Sequence, residues 1–264
     1  MLLPSLPAAL QARLSGRHFT VDTLGQSESD IFLFDDAVLK IAPQSREAEN
    51  ELQMLQWLSG KIPVPQVLFH ACESDTSFLL MSRLSGVLAC DKAYMQKPEQ
   101  LVRLLAQGLK MLWAVDISDC PCQNTLDRKL RAAQYNIEHG SVDVDDAEPD
   151  TFGAGGFRDP EHLLSWLCDN RPGEELVLSH GDYCLPNIFL QGGKISGFLD
   201  LGRAGTADKW QDIALCLRSL RQNFAGKFSG QPQPGFSDKL LFDALGLKPD
   251  WEKIRYYILL DELF

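Results

Sequence analysis

The chain has 264 residues, which corresponds to one large domain or two modest ones at about 150 residues per domain. Hydrophobic residues make up 45% and charged residues 23%, which excludes a disordered, collagen-like or coiled-coil chain. Lys and Arg number 25 against 36 Asp and Glu, a formal net charge of −11. This charge disfavours nucleic acids and anionic membranes as partners and favours cationic small molecules.

The cysteines and the N-terminus predict a soluble, cytoplasmic protein with reduced thiols. Seven cysteines are scattered along the chain, and an odd number at irregular spacing does not predict a disulfide framework. The N-terminus lacks the basic segment and long apolar stretch of a secretory signal. No run of about 18 apolar residues that could span a membrane occurs in the sequence.

The first third of the chain predicts an antiparallel sheet with one inserted helix. Leu52, Leu55 and Leu58 form an apolar stripe at helical spacing, so a helix is expected from Ser45 to Ser59, with Gly60 at its end. Short apolar runs separated by turn residues predict the strands. These runs cover residues 19–24, 31–34, 38–42, 66–69 and 78–82.

Beyond Gly86 the sequence predicts mainly helices. The strongest signal is the leucine periodicity from Pro98 to Val115. Further helices are expected at residues 160–167 and from Thr206 onward, ending with a helix from Trp251 to Leu263.

Short strands and one loop interrupt these helices. A strand is expected at residues 176–179. Runs at residues 187–190 and 194–199 flank Gly192-Gly193, which predicts a β-hairpin. Residues 142–156 are acidic and rich in small side chains, and they predict a loop or a short helix.

The change of pattern near residues 81–86 predicts two lobes with a cleft between them. The N-terminal lobe, residues 1–84, is expected to be a small antiparallel β-sheet with one helix. The C-terminal lobe, residues 85–264, is expected to be larger and mainly α-helical. The predicted fold class is therefore α+β.

The most informative motif is His-x-Asp-x-x-x-x-Asn, formed by His180, Asp182 and Asn187, with Asp-x-Gly following from Asp200. This spacing is the arrangement that phosphoryl transfer needs. A carboxylate beside the acceptor hydroxyl orients it and accepts its proton, and Asp182 follows a predicted strand as that role requires. Asn187 and Asp200 supply the amide and carboxylate oxygens that hold Mg²⁺ against nucleotide phosphates.

Phosphoryl transfer also needs a cation on the phosphates, held in place by a carboxylate. Lys40 lies in the strand at residues 38–42, and Glu51 lies on the inward face of the following helix, with Glu47 as the alternative partner. The turn at residues 25–29 is expected to cover the phosphates through its backbone N–H groups and the Ser27 hydroxyl.

With these motifs the chain resembles the aminoglycoside 3′-phosphotransferases, bacterial antibiotic-resistance enzymes with a protein-kinase-like bilobal fold. The resemblance covers nearly the whole length. The segments that carry it most clearly are residues 57–65, 178–182, 197–203, 206–214 and 260–264.

The resemblance implies ATP-dependent transfer of the γ-phosphate, with Mg²⁺ as cofactor, to the 3′-hydroxyl of antibiotics such as kanamycin and neomycin. It implies that Asp182 is the catalytic base and that Asn187 and Asp200 bind the metal. It further implies that Lys40 contacts the α- and β-phosphates and is paired with Glu51.

The resemblance also assigns supporting roles around the nucleotide. Ser27 would cap the β-phosphate, and the backbone around Met81 and Ser82 would meet adenine. Asp212 resembles the family's structural aspartate beneath the catalytic loop. The N-terminal lobe is thus the predicted nucleotide-binding lobe, and the C-terminal lobe carries the catalytic loop and the aminoglycoside site.

An aminoglycoside carries several ammonium groups, so its site should consist of carboxylates and hydrogen-bond acceptors. Residues 141–150 contain five acids and no base, with Glu148 and Asp150 as the candidate contacts. The C-terminus offers Asp261, Glu262 and the α-carboxylate of Phe264. Two nearby cations, Arg203 and Arg218, are interpreted as bracing residues of this acidic site rather than as substrate ligands.

Two alternatives stay open. Another small-molecule kinase of this fold would act on choline, ethanolamine, homoserine or a macrolide, but choline favours an aromatic cage and a macrolide a broad apolar groove. A catalytically inactive binding module would have lost Lys40, Asp182, Asn187 or Asp200, and all four are present. The expected partners are a polycationic aminoglycoside and a nucleoside triphosphate, ATP or GTP, with no nucleic acid or membrane. A monomer or weak homodimer is expected.

Overall fold

A five-stranded antiparallel sheet occupies the first part of the chain. The computed structural model describes residues 6–22 and 29–264. The strands are β1 (Thr20–Asp22), β2 (Asp30–Leu33), β3 (Ala37–Pro43), β4 (Val67–Glu73) and β5 (Thr76–Ser82). They lie in the order β1-β2-β3-β5-β4, and every neighbouring pair is antiparallel. The predicted antiparallel sheet is confirmed, with β4 and β5 longer than expected.

The two faces of the central strand β3 differ, because one is apolar and buried and the other carries Lys40. Ala37, Leu39 and Ile41 are buried, whereas Val38 and Lys40 are half-buried, as the twofold side-chain alternation of a strand requires. Lys40 lies opposite Leu79 of β5. The sheet therefore holds the Lys40 ammonium at a defined position on one face.

A short helix, α1 (Ala8–Leu14), precedes the sheet, and no predicted element corresponds to it. Its Leu10 and Leu14 are buried in a small apolar cluster together with Phe34 and Leu39. The helix has 7 residues, about two turns, which is too short for an apolar period to be recognised in the sequence.

Helix α2 (Arg46–Leu58) connects β3 to β4 and confirms the one helix predicted there. Ser45 caps its N-terminus by accepting a hydrogen bond of 3.1 Å, and Gly60 follows its end with a φ of +78°. Met54 and Leu58 are buried in the main apolar core, to which the later helices also contribute. Helix α2 thus packs against the helical part of the chain as well as against the sheet.

The helical part contains seven further helices among the described residues. They are α3 (Lys92–Met95), α4 (Pro98–Trp113), α5 (Leu126–Glu138), α6 (Pro160–Asp169), α7 (Lys209–Ala225), α8 (Asp238–Leu245) and α9 (Trp251–Asp261). Helices α4, α7 and α9 contribute many of the buried side chains of the main core. This core holds the loops between the helices in place.

Two small sheets lie within the helical part and carry the motif residues at their ends. The strands are β6 (Val87–Leu88), β7 (Leu176–Ser179), β8 (Ile188–Gln191), β9 (Lys194–Phe198) and β10 (Gly205–Asp208). β7 pairs with β10, and β6, β8 and β9 form a three-stranded sheet. Two 3₁₀ turns, Leu185–Asn187 and Leu201–Arg203, follow β7 and β9. The predicted strand at residues 176–179 and the hairpin are confirmed.

Three local expectations were wrong or incomplete. The helix expected from Thr206 begins at Lys209, because residues 205–208 pair with β7 instead. Helix α5 was not predicted, although its buried Leu126, Leu130 and Ala133 recur at helical spacing. Residues 142–156 contain turns and one isolated β-bridge and no helix, so the loop alternative is correct.

Within residues 6–22 and 29–264, no helix is long and apolar enough to cross a membrane.

Candidate active site

The loop after β7 carries the first half of the motif, and its backbone depends on a glycine. Gly181 has a φ of +84°, and a Cβ there would overlap the carbonyl oxygen of Arg203. Only glycine accommodates both the left-handed backbone and this close approach. The contact brings the loop against the 3₁₀ turn that contains Arg203.

Asp212 of helix α7 supports this loop from inside the core. Its carboxylate accepts hydrogen bonds from Ser179 Oγ at 2.9 Å, from the His180 N–H at 2.7 Å and from the Gly181 N–H at 3.0 Å. Complete burial raises the pKa of Asp212, while His180 and the three donors act in the opposite direction. The position agrees with the structural role that the family resemblance implies.

Asp182 and Asn187 are joined by their side chains. Asn187 Nδ2 donates to Asp182 Oδ2 at 2.8 Å and to the Asp182 carbonyl oxygen at 3.0 Å. Both bonds use the nitrogen, so the Asn187 Oδ1 atom accepts no hydrogen bond from the described residues. The arrangement orients the Asp182 carboxylate and leaves an amide oxygen available as a ligand.

The hairpin of β8 and β9 brings Asp200 back to Asn187. The Leu199 N–H donates to the Asn187 carbonyl oxygen at 2.8 Å, which places the next residue, Asp200, beside it. Asp200 has a left-handed backbone, with φ 55° and ψ 63°, and its side chain is 51% exposed. Its carboxylate is therefore accessible to a ligand.

Lys40 of strand β3 contacts both Glu51 of helix α2 and Asp200. Its Nζ lies 2.8 Å from Glu51 Oε2 and 3.3 Å from Asp200 Oδ1. Burial acts to lower the pKa of Lys40, but the carboxylates of Glu51 and Asp200 outweigh it and raise the pKa above its usual value. The alternative partner, Glu47, instead pairs with Arg203 at 3.0 Å, so Glu51 is the residue that holds the Lys40 ammonium.

The oxygen donors of this group suit a magnesium ion with a nucleotide. Among the described residues no cluster of three or more His, Cys, Asp or Glu side chains could hold a metal. Mg²⁺, however, is usually held by one or two protein carboxylates together with substrate phosphates and water. The exposed Asp200 carboxylate and the free Asn187 Oδ1 provide such a partial set of hard oxygen ligands, so the residues fit the ion.

Of the other predicted nucleotide contacts, Met81 and Ser82 lie at the end of β5. Met81 is buried at the end of β5, opposite Val38 and Val67. The N–H of Ser82 donates to the Gln66 carbonyl oxygen at 2.8 Å, and Ser82 Oγ accepts from the Gln66 N–H at 2.9 Å. Both groups of Ser82 are thus used within the protein. Ser27 lies outside the described residues.

An acidic cavity of about 230 Å³ lies between the 143–148 loop, helix α7 and the C-terminus. Five carboxylates line it, from Asp143, Asp146, Glu148, Asp261 and Glu262, together with Phe264. Four of the predicted substrate contacts, Glu148, Asp261, Glu262 and Phe264, therefore share one cavity. Asp150 is exposed and lies outside its lining.

Two arginines brace this cavity, in the manner expected from the sequence. Arg218 pairs with Asp261 and lies 3.4 Å from Glu262, while Arg203 lies 3.5 Å from Asp261. Burial lowers the pKa of Arg218, but Asp261, Glu262 and also Asp182 raise it by a larger amount. Asp182 is thus one of the carboxylates whose charge acts on Arg218.

Some residues of this cavity are not distinguished by the sequence. Asp143 and Asp146 were recognised only as part of the acidic loop. Gln222, which is hydrogen-bonded to Glu148 Oε1, had no distinguishing signal. Its spacing of four residues from Arg218 indicates only that the two side chains share one face of α7.

Comparisons with known proteins agree with this geometry. The phosphotransferase enzyme family matches residues 13–257. An aminoglycoside 3′-phosphotransferase of Enterococcus faecalis is 47% identical over 222 residues, 83% of this chain and 79% of the relative. A crystal structure of an aminoglycoside-3′-phosphotransferase of type VIII has a TM-score of 0.81 and 27% identity, and covers 97% of both chains.

A further solved structure contains ligands. It is an aminoglycoside phosphotransferase, APH(3″)-Id, of Streptomyces rimosus in complex with ADP and streptomycin. It is 25% identical, with a TM-score of 0.79, and covers 96% of this chain and 95% of its own. The fold and site are those of a kinase-like phosphotransferase, which confirms the predicted α+β bilobal fold class. Within that class, the chain belongs to the aminoglycoside 3′-phosphotransferase family. The boundary between lobes at residue 84 stays a prediction.

Proposed function

We propose that this chain transfers the γ-phosphate of ATP to the 3′-hydroxyl of aminoglycosides of the kanamycin and neomycin type, which inactivates them and confers resistance. One observation carries the proposal. Glu51 contacts Lys40, and Lys40 contacts Asp200. The backbone of Leu199, next to Asp200, is hydrogen-bonded to Asn187, whose side chain contacts Asp182. This connected group supplies an ammonium for phosphates, oxygen ligands for a metal and a carboxylate for a proton, and the protein also carries an acidic cavity suited to a polycation.

Asp182 acts on the acceptor hydroxyl in this proposal. Its carboxylate accepts the hydroxyl proton as the new phosphorus–oxygen bond forms and the bond from the γ-phosphorus to the bridging oxygen breaks, with ADP as the leaving group. The 2.8 Å hydrogen bond from Asn187 Nδ2 keeps the carboxylate in one orientation. Lys40, held by Glu51, neutralises negative charge on the nucleotide phosphates. Asn187 and Asp200 would hold Mg²⁺, which would supply positive charge to the phosphate oxygens.

The acidic cavity accounts for the acceptor class. Its five carboxylates face a substrate whose charge is carried by ammonium groups. An ion pair at 4 Å contributes about 1 kcal/mol in water and about 4 kcal/mol at an effective dielectric constant of about 20. A few such pairs are sufficient for micromolar affinity. A monomeric or weakly dimeric state and a cytoplasmic location belong to the same proposal.

The decisive experiment is an ADP-release assay over a panel of aminoglycosides that have or lack a 3′-hydroxyl. We expect turnover only with the compounds that have this hydroxyl, and parallel assays with GTP test the nucleotide preference. Asp182→Asn, which keeps the size but removes the base, should lower kcat by at least 1000-fold, about 4 kcal/mol, with nucleotide affinity nearly unchanged.

Two results would contradict the proposal. Undiminished phosphorylation by Asp182→Asn would remove Asp182 from the reaction. Equal turnover of compounds with and without the 3′-hydroxyl would remove the proposed regiochemistry. Asp238→Asn serves as the matched control, because Asp238 is a partly exposed aspartate at the start of α8 that pairs with Arg221 rather than with a residue of the candidate site.

A further inference from the structure

Asn50 stands next to Glu51 on helix α2, and its side chain reaches the segment after Asp200. Its Nδ2 atom lies 2.8 Å from the Ala204 carbonyl oxygen, 2.9 Å from that of Gly202 and 3.4 Å from that of Leu201. Three acceptors around one terminal atom identify that atom as the amide nitrogen. Asn50 thus joins α2 to a turn about 150 residues further along the chain.

A second side-chain amide, that of Asn124, is hydrogen-bonded to the same turn. Asn124 lies between helices α4 and α5, and its Nδ2 donates to the Arg203 carbonyl oxygen at 2.8 Å and to that of Ala204 at 3.0 Å. The main-chain N–H of Asn124 also donates to the Thr206 carbonyl oxygen at 2.9 Å. The two asparagine side chains therefore donate hydrogen bonds to all four carbonyl oxygens of residues 201–204.

The position of this turn determines where the Asp200 carboxylate points. Asp200 immediately precedes the turn and has a left-handed backbone that is unfavourable for a residue with a Cβ atom. Such a conformation persists only where the surrounding contacts hold it. The carbonyls of residues 201–204 follow Asp200 directly, and their hydrogen bonds to Asn50 and Asn124 are contacts of this kind.

We infer that Asn50 and Asn124 are positioning residues that hold the 201–204 turn so that Asp200 presents its carboxylate to a nucleotide-bound divalent metal. The inference rests on the proposed function. Asn50 and Glu51 are adjacent on α2, so the same helix sets the position of the Lys40 ammonium and of the Asp200 backbone. The two charges that face the phosphates are thereby kept at a constant separation.

Nucleotide binding with and without Mg²⁺ tests this inference without a need for turnover. We would measure the Kd of ADP by calorimetry for the wild type and for Asn50→Asp, Asn50→Ser and Asn124→Ala. Asn50→Asp keeps the shape of the side chain but places a carboxylate oxygen against three carbonyl oxygens. Asn50→Ser retains one donor and is the milder change. Gln56→Ala is the matched control, because Gln56 is an exposed amide on the same helix.

The wild type should bind ADP more tightly with Mg²⁺ than without it. We expect Asn50→Asp to lose this gain by at least tenfold, Asn50→Ser and Asn124→Ala to lose part of it, and Gln56→Ala to keep it. The Kd of ADP without Mg²⁺ and the KM for the aminoglycoside should change less than twofold, which a general loss of structure would not produce.

Each contrary result has a distinct meaning. If the wild type shows a gain with Mg²⁺ and folded Asn50→Asp shows the same gain, the positioning role is overturned while the proposed function stands. If the wild type shows no gain, the proposed function is overturned and this inference with it. If none of the three variants folds, the amides serve the fold rather than the metal ligand, and the inference is wrong.

Discussion

Lys129 of helix α5 is a partly buried cation without an ion-pair partner among the described residues. Its ammonium lies 5.3 Å from the centre of the Phe264 ring, beside Arg203 and Asp261. Burial lowers the pKa of Lys129 from 10.5 to about 8, with Asp261 opposing the change and Arg203 adding to it. The folded protein therefore binds this proton less tightly than the unfolded chain does.

The sign of the pH effect follows from this difference in proton binding. Between about pH 8 and pH 10.5 the unfolded chain keeps the proton while the folded protein releases it, so the free energy of unfolding rises with pH across that range. Below about pH 8 the charge is present in both states and the folded state carries the cost of burying it. Lys129→Met should remove that cost.

We expect Lys129→Met to raise the free energy of unfolding at about pH 7 by about 1–2 kcal/mol and to remove the rise toward alkaline pH. Urea unfolding over a series of pH values measures both effects. Lys248→Met changes an exposed lysine and should leave stability and pH profile unaltered. A loss of stability in Lys129→Met at neutral pH would show that Asp261 stabilises the ammonium more than burial destabilises it.

At the scale of secondary-structure elements, the loop after β7 depends on helix α7. Asp212 lies in the first turn of α7, and its carboxylate receives the three hydrogen bonds from residues 179–181. All of these groups are buried. The helix therefore fixes the conformation of the loop that carries Asp182, and Asp212 acts through the backbone of that loop.

Asp212→Asn should destabilise the protein by about 3–5 kcal/mol, because an amide NH₂ would face N–H and O–H donors in a site without water. Denaturant unfolding measures the loss, and kcat should fall in the fraction that remains folded. Asp238→Asn, at an exposed ion pair, should cost less than about 1 kcal/mol. Equal stabilities of the two variants would mean that Asp212 is not needed as an acceptor.

At the scale of the whole molecule, acidic charge is concentrated where the acceptor is proposed to bind. The chain has a net charge of −11, and five carboxylates line one cavity with only Arg218 and Lys227 as cations. A field of this sign attracts a polycation and repels a nucleotide anion. The Lys40 ammonium and a metal ion are then needed to counteract that repulsion on the nucleotide side.

Salt should therefore affect the two substrates differently. We expect the KM for the aminoglycoside to rise several-fold between about 0.05 M and 0.5 M salt, while the KM for the nucleotide rises little or falls, because screening weakens attraction and repulsion alike. The double variant Asp143→Asn, Asp146→Asn should reduce the dependence for the aminoglycoside. The double variant Asp35→Asn, Glu73→Gln makes the same charge change at the turn after β2 and at the end of β4, and it should not reduce that dependence. Equal slopes in both variants would mean that net charge, rather than the cavity, attracts the substrate.

Elements with a strong local signal were predictable. Helix α4 has a regular leucine periodicity, and the hairpin of β8 and β9 has a Gly-Gly turn between apolar runs. Strand β10 was not, because its conformation depends on a partner far away in the chain. β10 is extended since it pairs with β7, although its residues precede a helical pattern directly.

The candidate site likewise contains residues that the sequence predicts and contacts that only the packed structure decides. Residue type and spacing were sufficient to select Lys40, Asp182, Asn187 and Asp200, because phosphoryl transfer requires particular oxygen and ammonium groups at set offsets. Packing settles the choice of Glu51 over Glu47, since the helix phase allowed both. The amide bonds of Asn50 to a turn about 150 residues away had no local signal either.

The sequence by itself thus determines the residue types that a short catalytic motif requires. It also determines the elements whose apolar period repeats within a few turns. Contacts between distant segments are not determined in this way, because many side chains of the right type could meet and only the packed chain selects among them. Glu148 enters the acidic cavity and Asp150 does not, although both belong to the same acidic run. The difference arises from the loop backbone and from the Glu262 carboxylate, which accepts the N–H of Glu148 at 3.1 Å.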